Sequence, residues 1–336
     1  MVKPGLLFLP PDSAQTRQLF PQQLMAQLDE LVDVERNLLG RQLSEQELVE
    51  RIRGKEICIT GWRSPRFSEP VIAGADRLRL ILHSAGTVKP YISRSLFERG
   101  IILTSSNSVI ARVTAEAVLA MMMVGNWEVR RWIAVMEGGG WKERETTIPG
   151  IQGKTVGLIG FGSVTRALLP MLRAFRLRQI LLYSEHASRQ EVLELGAELA
   201  DLDSLLIRSD IVSVQTSLTL RTRHLLNGTN LGLIRYGALL LNAGRGELID
   251  EQALIHHLKQ NRFRAVLDVY AVEPLPADSL LRTLPNVTCF PHLGAATQYC
   301  REGIGWDVLE NLQEYLGGRA PHGAITYEQA LLMSEH

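Results

Sequence analysis

The chain has 336 residues, 46% of them hydrophobic, and 36 Lys and Arg balance 36 Asp and Glu. That length suits two domains with separate cores. A net charge of +0, with no long like-charge run or basic tail, argues against nucleic acid or acidic lipid as the main partner.

The opening residues, MVKPGLLFLPPDS, carry one Lys and a short apolar run broken by prolines, which predicts a first strand instead of a secretory signal. From Leu6 to Leu103 the short apolar runs GLLFLP, EICIT, LRLILH and GIILT are separated by charged stretches that suit helices of an open α/β domain. Ser44 followed three residues later by Glu47 predicts a capping box and a helix starting there. The stretch from Val113 to about Met136 is expected to be one long helix, apolar nearly all round in its first half and so needing cover on more than one side. GGGW breaks it at Gly138 to Trp141. No apolar stretch is expected to reach the roughly 18 residues of a membrane helix, so a soluble chain with no membrane partner is expected.

Beyond a polar loop through Pro149 and Gly150 comes a more regular series: TVGLI, QILLY, DIVSV, ALLLN, RAVLD and NVTCF. Continuous apolar strands alternating with helix-length segments predict a parallel sheet covered on both faces. One more helix is expected from Thr297 to about Leu316, ended by Gly317 and Gly318. Because the regular series sits in the middle, residues 109–296 are expected to form one domain inserted into a split domain of residues 1–108 and 297–336. The expected fold class is α/β, with two Rossmann-like doubly wound parallel-sheet domains. Cys58, Cys289 and Cys300 form no CxxC pair and, the first two lying in apolar runs, read as buried thiols in a reducing cytoplasm. No metal site is expected.

Directly after TVGLI stands Gly160-Phe161-Gly162-Ser163-Val164-Thr165, followed by the helical segment RALLPMLRAF. Gly160 and Gly162 allow a tight turn, and the backbone N–H groups of Ser163 and Val164 then meet a pyrophosphate at a helix N-terminus, where the dipole favours an anion. Thr165 stands where Gly or Ala is usual for close helix–strand packing. The competing reading is a glycine-bearing turn in a fold that binds nothing. After QILLY a carboxylate is sought for the ribose, and the chain offers Ser184 and then Glu185. Glu185 favours NAD by repelling a 2′-phosphate; alternatively Ser184 leaves room for that phosphate, with Arg189 to pair it, or Glu185 is a solvated loop residue.

In a doubly wound sheet the loops after the carboxyl ends of all parallel strands share one edge, where ligands bind. After ALLLN comes Ala243-Gly244-Arg245-Gly246; RAVL ends at Asp268 with Glu273 beyond it; after NVTCF comes Pro291-His292-Leu293-Gly294. Singly these read as an ion-pairing Arg, two capping carboxylates and a turn histidine. Jointly, on the edge that carries Gly160, they bring an anion anchor and a proton shuttle to a nicotinamide. Hydride transfer to a ketone builds negative charge on oxygen, and a histidine that titrates near neutral pH is the natural general acid. Glu273 suits its other ring nitrogen, and Arg245 offers a planar fork for a carboxylate or carbonyl oxygen.

From about Leu78 to Leu316 these segments resemble, in unbroken order, the D-isomer-specific 2-hydroxyacid dehydrogenases, the group of phosphoglycerate, glycerate and formate dehydrogenases. LRLILHSAGTVKPYISRSLFERGI looks like the family's substrate loop, VTAEAVLAMMM like its linking helix and GKTVGLIGFGSV like its dinucleotide loop. SVQTSLTLRT, LNAGRGELID, LDVYAVEPLP and FPHLGAAT look like its later signatures. The resemblance implies Arg245 as the substrate-binding arginine, Glu273 as the partner carboxylate and His292 as the acid/base. It implies Asp268 near the nicotinamide, Thr216 and Ala243 on the cofactor side and Ala85, Gly86 and Thr87 in the substrate loop. It also implies NAD as cofactor with NADP still open, hydride transfer at C2 of a small D-2-hydroxy or 2-oxo acid, and a homodimer built around helices of the cofactor domain.

Departures from the family pattern are specific. Its ribose aspartate is Ser184 here, a histidine common after DIVSV is Gln215, and the proline near it is Ser217. The usual GVG loop reads Ala85-Gly86-Thr87, and the Pro-Gly-x-Asn after GIILT reads Asn107-Ser108-Val109-Ile110. The individual substrate is therefore not legible. A different role, the dinucleotide-sensing scaffold of the C-terminal-binding-protein type, is compatible with the same Arg, Glu and His.

Overall fold

The computed structural model describes residues 3–335 and divides into two compact units. The first is built from the chain up to Ile110 and from Ala296 onward; the second is Ala111–Ala295.

The first unit holds a five-stranded sheet of β1 (Gly5–Phe8), β2 (Asp33–Arg36), β3 (Ile57–Thr60), β4 (Leu80–His83) and β5 (Ile102–Ser105), in the order β2-β1-β3-β4-β5. All pairs are parallel. Four strands coincide with the apolar runs, whereas β2, DVER, was not legible as a strand. It is an edge strand, paired only to β1 through Leu6↔Val34 and its neighbours, so it need not be apolar on both faces. Leu7, Cys58, Ile81 and Leu103 send side chains from the sheet into a core completed by Leu48, Ile52, Leu96 and Ala330. Each large aliphatic among them contributes roughly 1.5–3 kcal/mol by leaving water. The capping box is present: Ser44 Oγ accepts from the Glu47 N–H at 3.2 Å and the Ser44 N–H donates to Glu47 Oε2 at 2.7 Å, opening the helix Glu45–Arg51. Thr297 caps the helix Gln298–Leu316.

The second unit holds a seven-stranded parallel sheet in the order β12-β11-β10-β9-β6-β7-β8. Its strands are β6 (Thr155–Ile159), β7 (Gln179–Tyr183), β8 (Glu198–Leu199), β9 (Ile211–Val214), β10 (Leu239–Asn242), β11 (Arg264–Leu267) and β12 (Val287–Cys289). Leu240 enters the core on one face, while Leu239 and Leu241 enter the core on the other, so both faces are covered. Strand order reverses between β6 and β9, and the loops after β6, β7, β9, β10, β11 and β12 share the carboxyl edge. The two-residue β8, at the sheet's edge, was too short to be read from the sequence.

Three expectations are corrected. The long helix is two, Asn107–Asn126 and Val129–Glu137, broken at Glu128, whose backbone is left-handed (φ 50°). Gly125 stands just before that break, and its carbonyl accepts the Glu128 N–H at 3.2 Å; the Glu128 carboxylate pairs locally with Arg131 at 2.7 Å and across to Arg264, on β11, at 3.7 Å. Second, Asn107–Asn126 does meet the length and mean hydropathy of a membrane span, although half of its apolar window is buried. Ala115, Val118 and Met122 of that helix are fully buried in the core of the second unit, which accounts for its composition. Third, Cys58 and Cys300 are buried but Cys289, on edge strand β12, is only partly so.

Candidate active site

The loop after β6 turns at Gly160, where φ is +105°, and a β-carbon there would stand 2.6 Å from the backbone of Thr216. Only glycine satisfies both demands, so the loops after β6 and β9 meet backbone to backbone. Gly162 is the N-cap of the helix Ser163–Leu172 and supplies no side-chain cap; a β-carbon on it would meet nothing within 4 Å. An uncapped helix start beside open space fits a pyrophosphate, with the N–H groups of Ser163 and Val164 in the first turn. Thr165 is fully buried and its hydroxyl donates to the Gly160 carbonyl at 2.8 Å. The unusual third position thus bonds the strand–helix corner instead of prising it open.

After β7, Ser184 Oγ accepts the N–H groups of His186 and Ala187, each at 3.2 Å, and so closes the turn. Glu185 pairs at 2.8 Å with Arg221, an exposed residue of the loop after β9 that the sequence reading did not single out. Arg189 opens the helix Arg189–Glu194, which Ser188 caps. Gln215 is buried, its N–H bonded to the Ile159 carbonyl at 2.8 Å and its amide to Ser213 Oγ at 2.8 Å.

After β10 the buried Asn242 binds both sides of the next turn: its Oδ1 accepts the Gly244 N–H at 3.1 Å and its Nδ2 donates to the Arg245 carbonyl at 2.9 Å. This span covers Ala243. A β-carbon on Gly246 would lie 1.9 Å from the Tyr270 carbonyl carbon, so the Arg245 loop rests directly on the loop after β11. Arg245 is half-buried, with Nη1 donating to the Gly244 carbonyl at 2.8 Å. Burial pushes its guanidinium pKa down and the Glu273 charge pushes it up; an arginine remains charged under such opposing pulls.

Tyr270 ties the next loops together. Its hydroxyl lies 2.8 Å from the Phe290 carbonyl and 3.0 Å from the Leu267 carbonyl, bracing the ends of β12 and β11, and its N–H donates to Glu273 Oε1 at 3.1 Å. Glu273 Oε2 in turn lies 2.7 Å from His292 Nδ1. His292 has a left-handed backbone, φ 54°, which costs a β-carbon residue about 1–2 kcal/mol. Asp268 offsets that cost. Its carbonyl accepts the His292 N–H at 3.0 Å, and its buried carboxylate accepts the N–H groups of Leu293 at 2.7 Å and Gly294 at 2.9 Å. Arg245, Asp268, Glu273 and His292 are therefore joined along one edge of the second unit's sheet. Asn242 and Tyr270, which hold them, were missed because an Asn or Tyr at a strand end has no marking of its own.

Ala85, Gly86 and Thr87 lie in the first unit, on the loop after β4. The Ala85 carbonyl accepts Ser106 N–H and Ser105 Oγ, both at 3.2 Å, and the Gly86 carbonyl accepts Ser105 Oγ at 2.5 Å. The Thr87 hydroxyl donates to the Ser334 carbonyl at 2.6 Å. Carbonyls and hydroxyl are thus committed to the protein, while among the described residues the N–H groups of Gly86 and Thr87 have no hydrogen-bond partner. At the end of β4, His83 is buried with Nδ1 2.8 Å from Thr60 Oγ1, and burial lowers its pKa to about 4.

Residues 119–294 match the family model described as D-isomer specific 2-hydroxyacid dehydrogenase, NAD binding domain. The chain is 30% identical to a glyoxylate reductase of Pyrococcus furiosus, over 92% of its own length and 93% of that protein's. It is 28% identical to a D-3-phosphoglycerate dehydrogenase of Methanocaldococcus jannaschii over 89% of its length, and spans 56% of that longer protein. Among solved structures, the TT0316 protein of Thermus thermophilus superimposes with a TM-score of 0.76 at 29% identity, covering 96% of this chain and all of that one.

Proposed function

Since this chain belongs to the D-isomer-specific 2-hydroxyacid dehydrogenase family, whose members move a hydride between a nicotinamide cofactor and C2 of a 2-hydroxy or 2-oxo acid, we propose that it reduces a small 2-oxo acid with His292 as proton donor. Glyoxylate is the first substrate to test, because the relative similar over nearly its whole length is named for it. Hydroxypyruvate and pyruvate follow.

The bound nicotinamide supplies the hydride. Gly160, Gly162, Ser163 and Val164 would hold its pyrophosphate, with Ser184 and Glu185 toward the ribose and Thr216, Ala243 and Asp268 along the same strand edge. The chain's own residues do the rest. Arg245 anchors the substrate carboxylate or carbonyl by its fork. In the first unit the loop from Ala85 to Thr87 is read as the substrate loop, because the N–H groups of Gly86 and Thr87, which have no hydrogen-bond partner among the described residues, suit an anion. His292 gives its proton to the substrate oxygen as charge develops there. Glu273 holds the other ring nitrogen and orients the imidazole. Asp268 works from beneath, fixing the backbone turn that carries His292. The observation that supports this reading most is the 2.7 Å contact between Glu273 and His292 on the edge that also carries Arg245.

On this reading residues 109–296 serve as the cofactor domain and the remainder as the substrate domain. The enzyme is a cytoplasmic homodimer that uses NAD in preference to NADP and has no nucleic-acid or membrane partner. The helix Val129–Glu137 supports the dimer, since it buries none of its residues and leaves Ile133 and Met136 exposed, as Trp127 just before it is. Consumption of NADH or NADPH in a screen of 2-oxo acids tests the activity. Light scattering that finds only a 37.5 kDa species rejects the dimer.

A further inference from the structure

Beyond the helix Gln298–Leu316 the chain returns across the first unit and is fastened at successive points. His322 is held between two carboxylates of that helix, with Nε2 3.1 Å from Asp307 and Nδ1 2.9 Å from Glu314. Ala324 bridges Thr104 of β5 in antiparallel fashion, and the Ile325 N–H reaches the Leu103 carbonyl at 2.9 Å. A capping box at Thr326 opens the short helix Tyr327–Leu331, Tyr327 packs on Phe97 and Ala330 is fully buried in the core. Residues so anchored have little freedom left at their far end. That far end touches the loop after β4 twice, through Thr87 Oγ1 to the Ser334 carbonyl at 2.6 Å and Lys89 to Glu335 at 3.5 Å.

Thr87 is also where this loop departs from the glycine pair of its family. A residue with a β-carbon restricts the backbone that glycine leaves free, and the hydroxyl that comes with it is spent on Ser334. We propose that His322–Glu335 is a strap that fixes the substrate loop through Thr87, so that Thr87 is a positioning residue and the strap sets how tightly the loop holds a 2-oxo acid. The Gly86 and Thr87 N–H groups are then held in place from two sides, by Ser105 and Ser106 through the neighbouring carbonyls and by Ser334 through the Thr87 side chain. An anion site made of backbone N–H groups works only if that backbone is preorganised. This inference rests on the reading that the loop from Ala85 to Thr87 binds substrate.

Three variants test it: Thr87→Val, which keeps the branched shape and loses the donor; Thr87→Ser, which keeps the donor; and a chain lacking residues 332–336. KM for the best 2-oxo acid, kcat, the NADH dissociation constant and amide exchange of residues 84–92 are measured for each, and for Thr87→Val combined with the deletion. The strap predicts faster exchange in the loop and a KM raised about fivefold, the effect of one neutral hydrogen bond, in both Thr87→Val and the deletion. Kcat and NADH binding should change little, Thr87→Ser should restore both loop readouts, and the combined variant should be no worse than either alone. Unchanged exchange in Thr87→Val, or losses that add in the combined variant, would overturn the strap. Faster exchange with an unchanged KM for every 2-oxo acid would instead overturn the loop's role in substrate binding, and the proposal with it.

Discussion

Glu273 uses both carboxylate oxygens to join two loops: Oε2 meets His292 Nδ1 at 2.7 Å, and Oε1 accepts the Tyr270 N–H at 3.1 Å. The second contact gives the first its geometry, because a carboxylate free to rotate would hold the ring in no particular orientation. Tyr270 is itself braced at both strand ends by its hydroxyl and pressed by the Arg245 loop at Gly246. The anion anchor and the proton donor are thereby referred to one buried residue.

Tyr270→Phe keeps the ring and removes the hydroxyl that the Leu267 and Phe290 carbonyls share. Stability should fall by about 1 kcal/mol, and kcat should fall by less than tenfold while KM holds. Thermal melts and steady-state kinetics check this. A wild-type melting temperature with unchanged kcat would show that the hydroxyl braces nothing.

Arg245→Lys preserves the charge and loses the fork. KM for the 2-oxo acid should rise, with a fall in kcat/KM of roughly tenfold or more if a charge-assisted bidentate contact worth about 1.5–3 kcal/mol is lost. NADH binding should be unaffected. Kinetics equal to wild type on the best substrate would remove Arg245 from the anchor's role.

On the cofactor, NADH should bind more tightly than NADPH, since Glu185 puts a carboxylate beyond β7. Arg221 stands 2.8 Å from it. Glu185→Ala should therefore narrow or invert the preference by leaving Arg221 to meet a 2′-phosphate, and Arg221→Ala on that background should cancel the gain. Fluorescence titrations with both nucleotides measure it, and tighter NADPH binding by wild type would contradict the assignment to Glu185.

His83 makes the fold sensitive to acid. Its pKa in the folded state is lowered to about 4 by burial, against about 6.5 when unfolded. Between those values the unfolded chain binds a proton that the folded chain does not, so stability falls as pH drops through that window, by up to about 3 kcal/mol. His83→Gln should flatten this dependence between pH 7 and pH 4.5 in denaturant melts. A wild-type slope in the variant would assign the acid lability elsewhere.

Much of this architecture was legible because buried parallel strands must be continuously apolar: β1, β3 to β7 and β9 to β12 all lie in runs visible in the chain, and Ser44, Thr297, Gly160 and Gly162 carry local chemistry that punctuates them. What escaped lacked such chemistry. The edge strands β2 and β8 have no apolar run, and the left-handed turn at Glu128 faces Arg264, a partner that only the fold brings to it. The strand-edge residues Arg245, Asp268, Glu273 and His292 stood out as polar groups following apolar strands. That Asp268 bonds the loop of Leu293 and Gly294 could not be read, because it depends on how β11 and β12 lie side by side. Arg221, Asn242 and Tyr270 likewise acquire meaning only from partners brought close by the fold.

The most direct test of the account is the pH profile of kcat/KM for 2-oxo acid reduction in wild type, Glu273→Gln and His292→Asn. Reduction needs a protonated His292, so the wild-type rate should fall toward alkaline pH. Glu273→Gln, which takes away the carboxylate 2.7 Å from Nδ1, should lower kcat/KM while leaving some activity, because the imidazole loses the partner that orients it. His292→Asn should lose roughly 10²–10⁴-fold at every pH. A Glu273→Gln profile that coincides with wild type would contradict the pairing, and near-wild-type turnover by His292→Asn would contradict the proton donor itself.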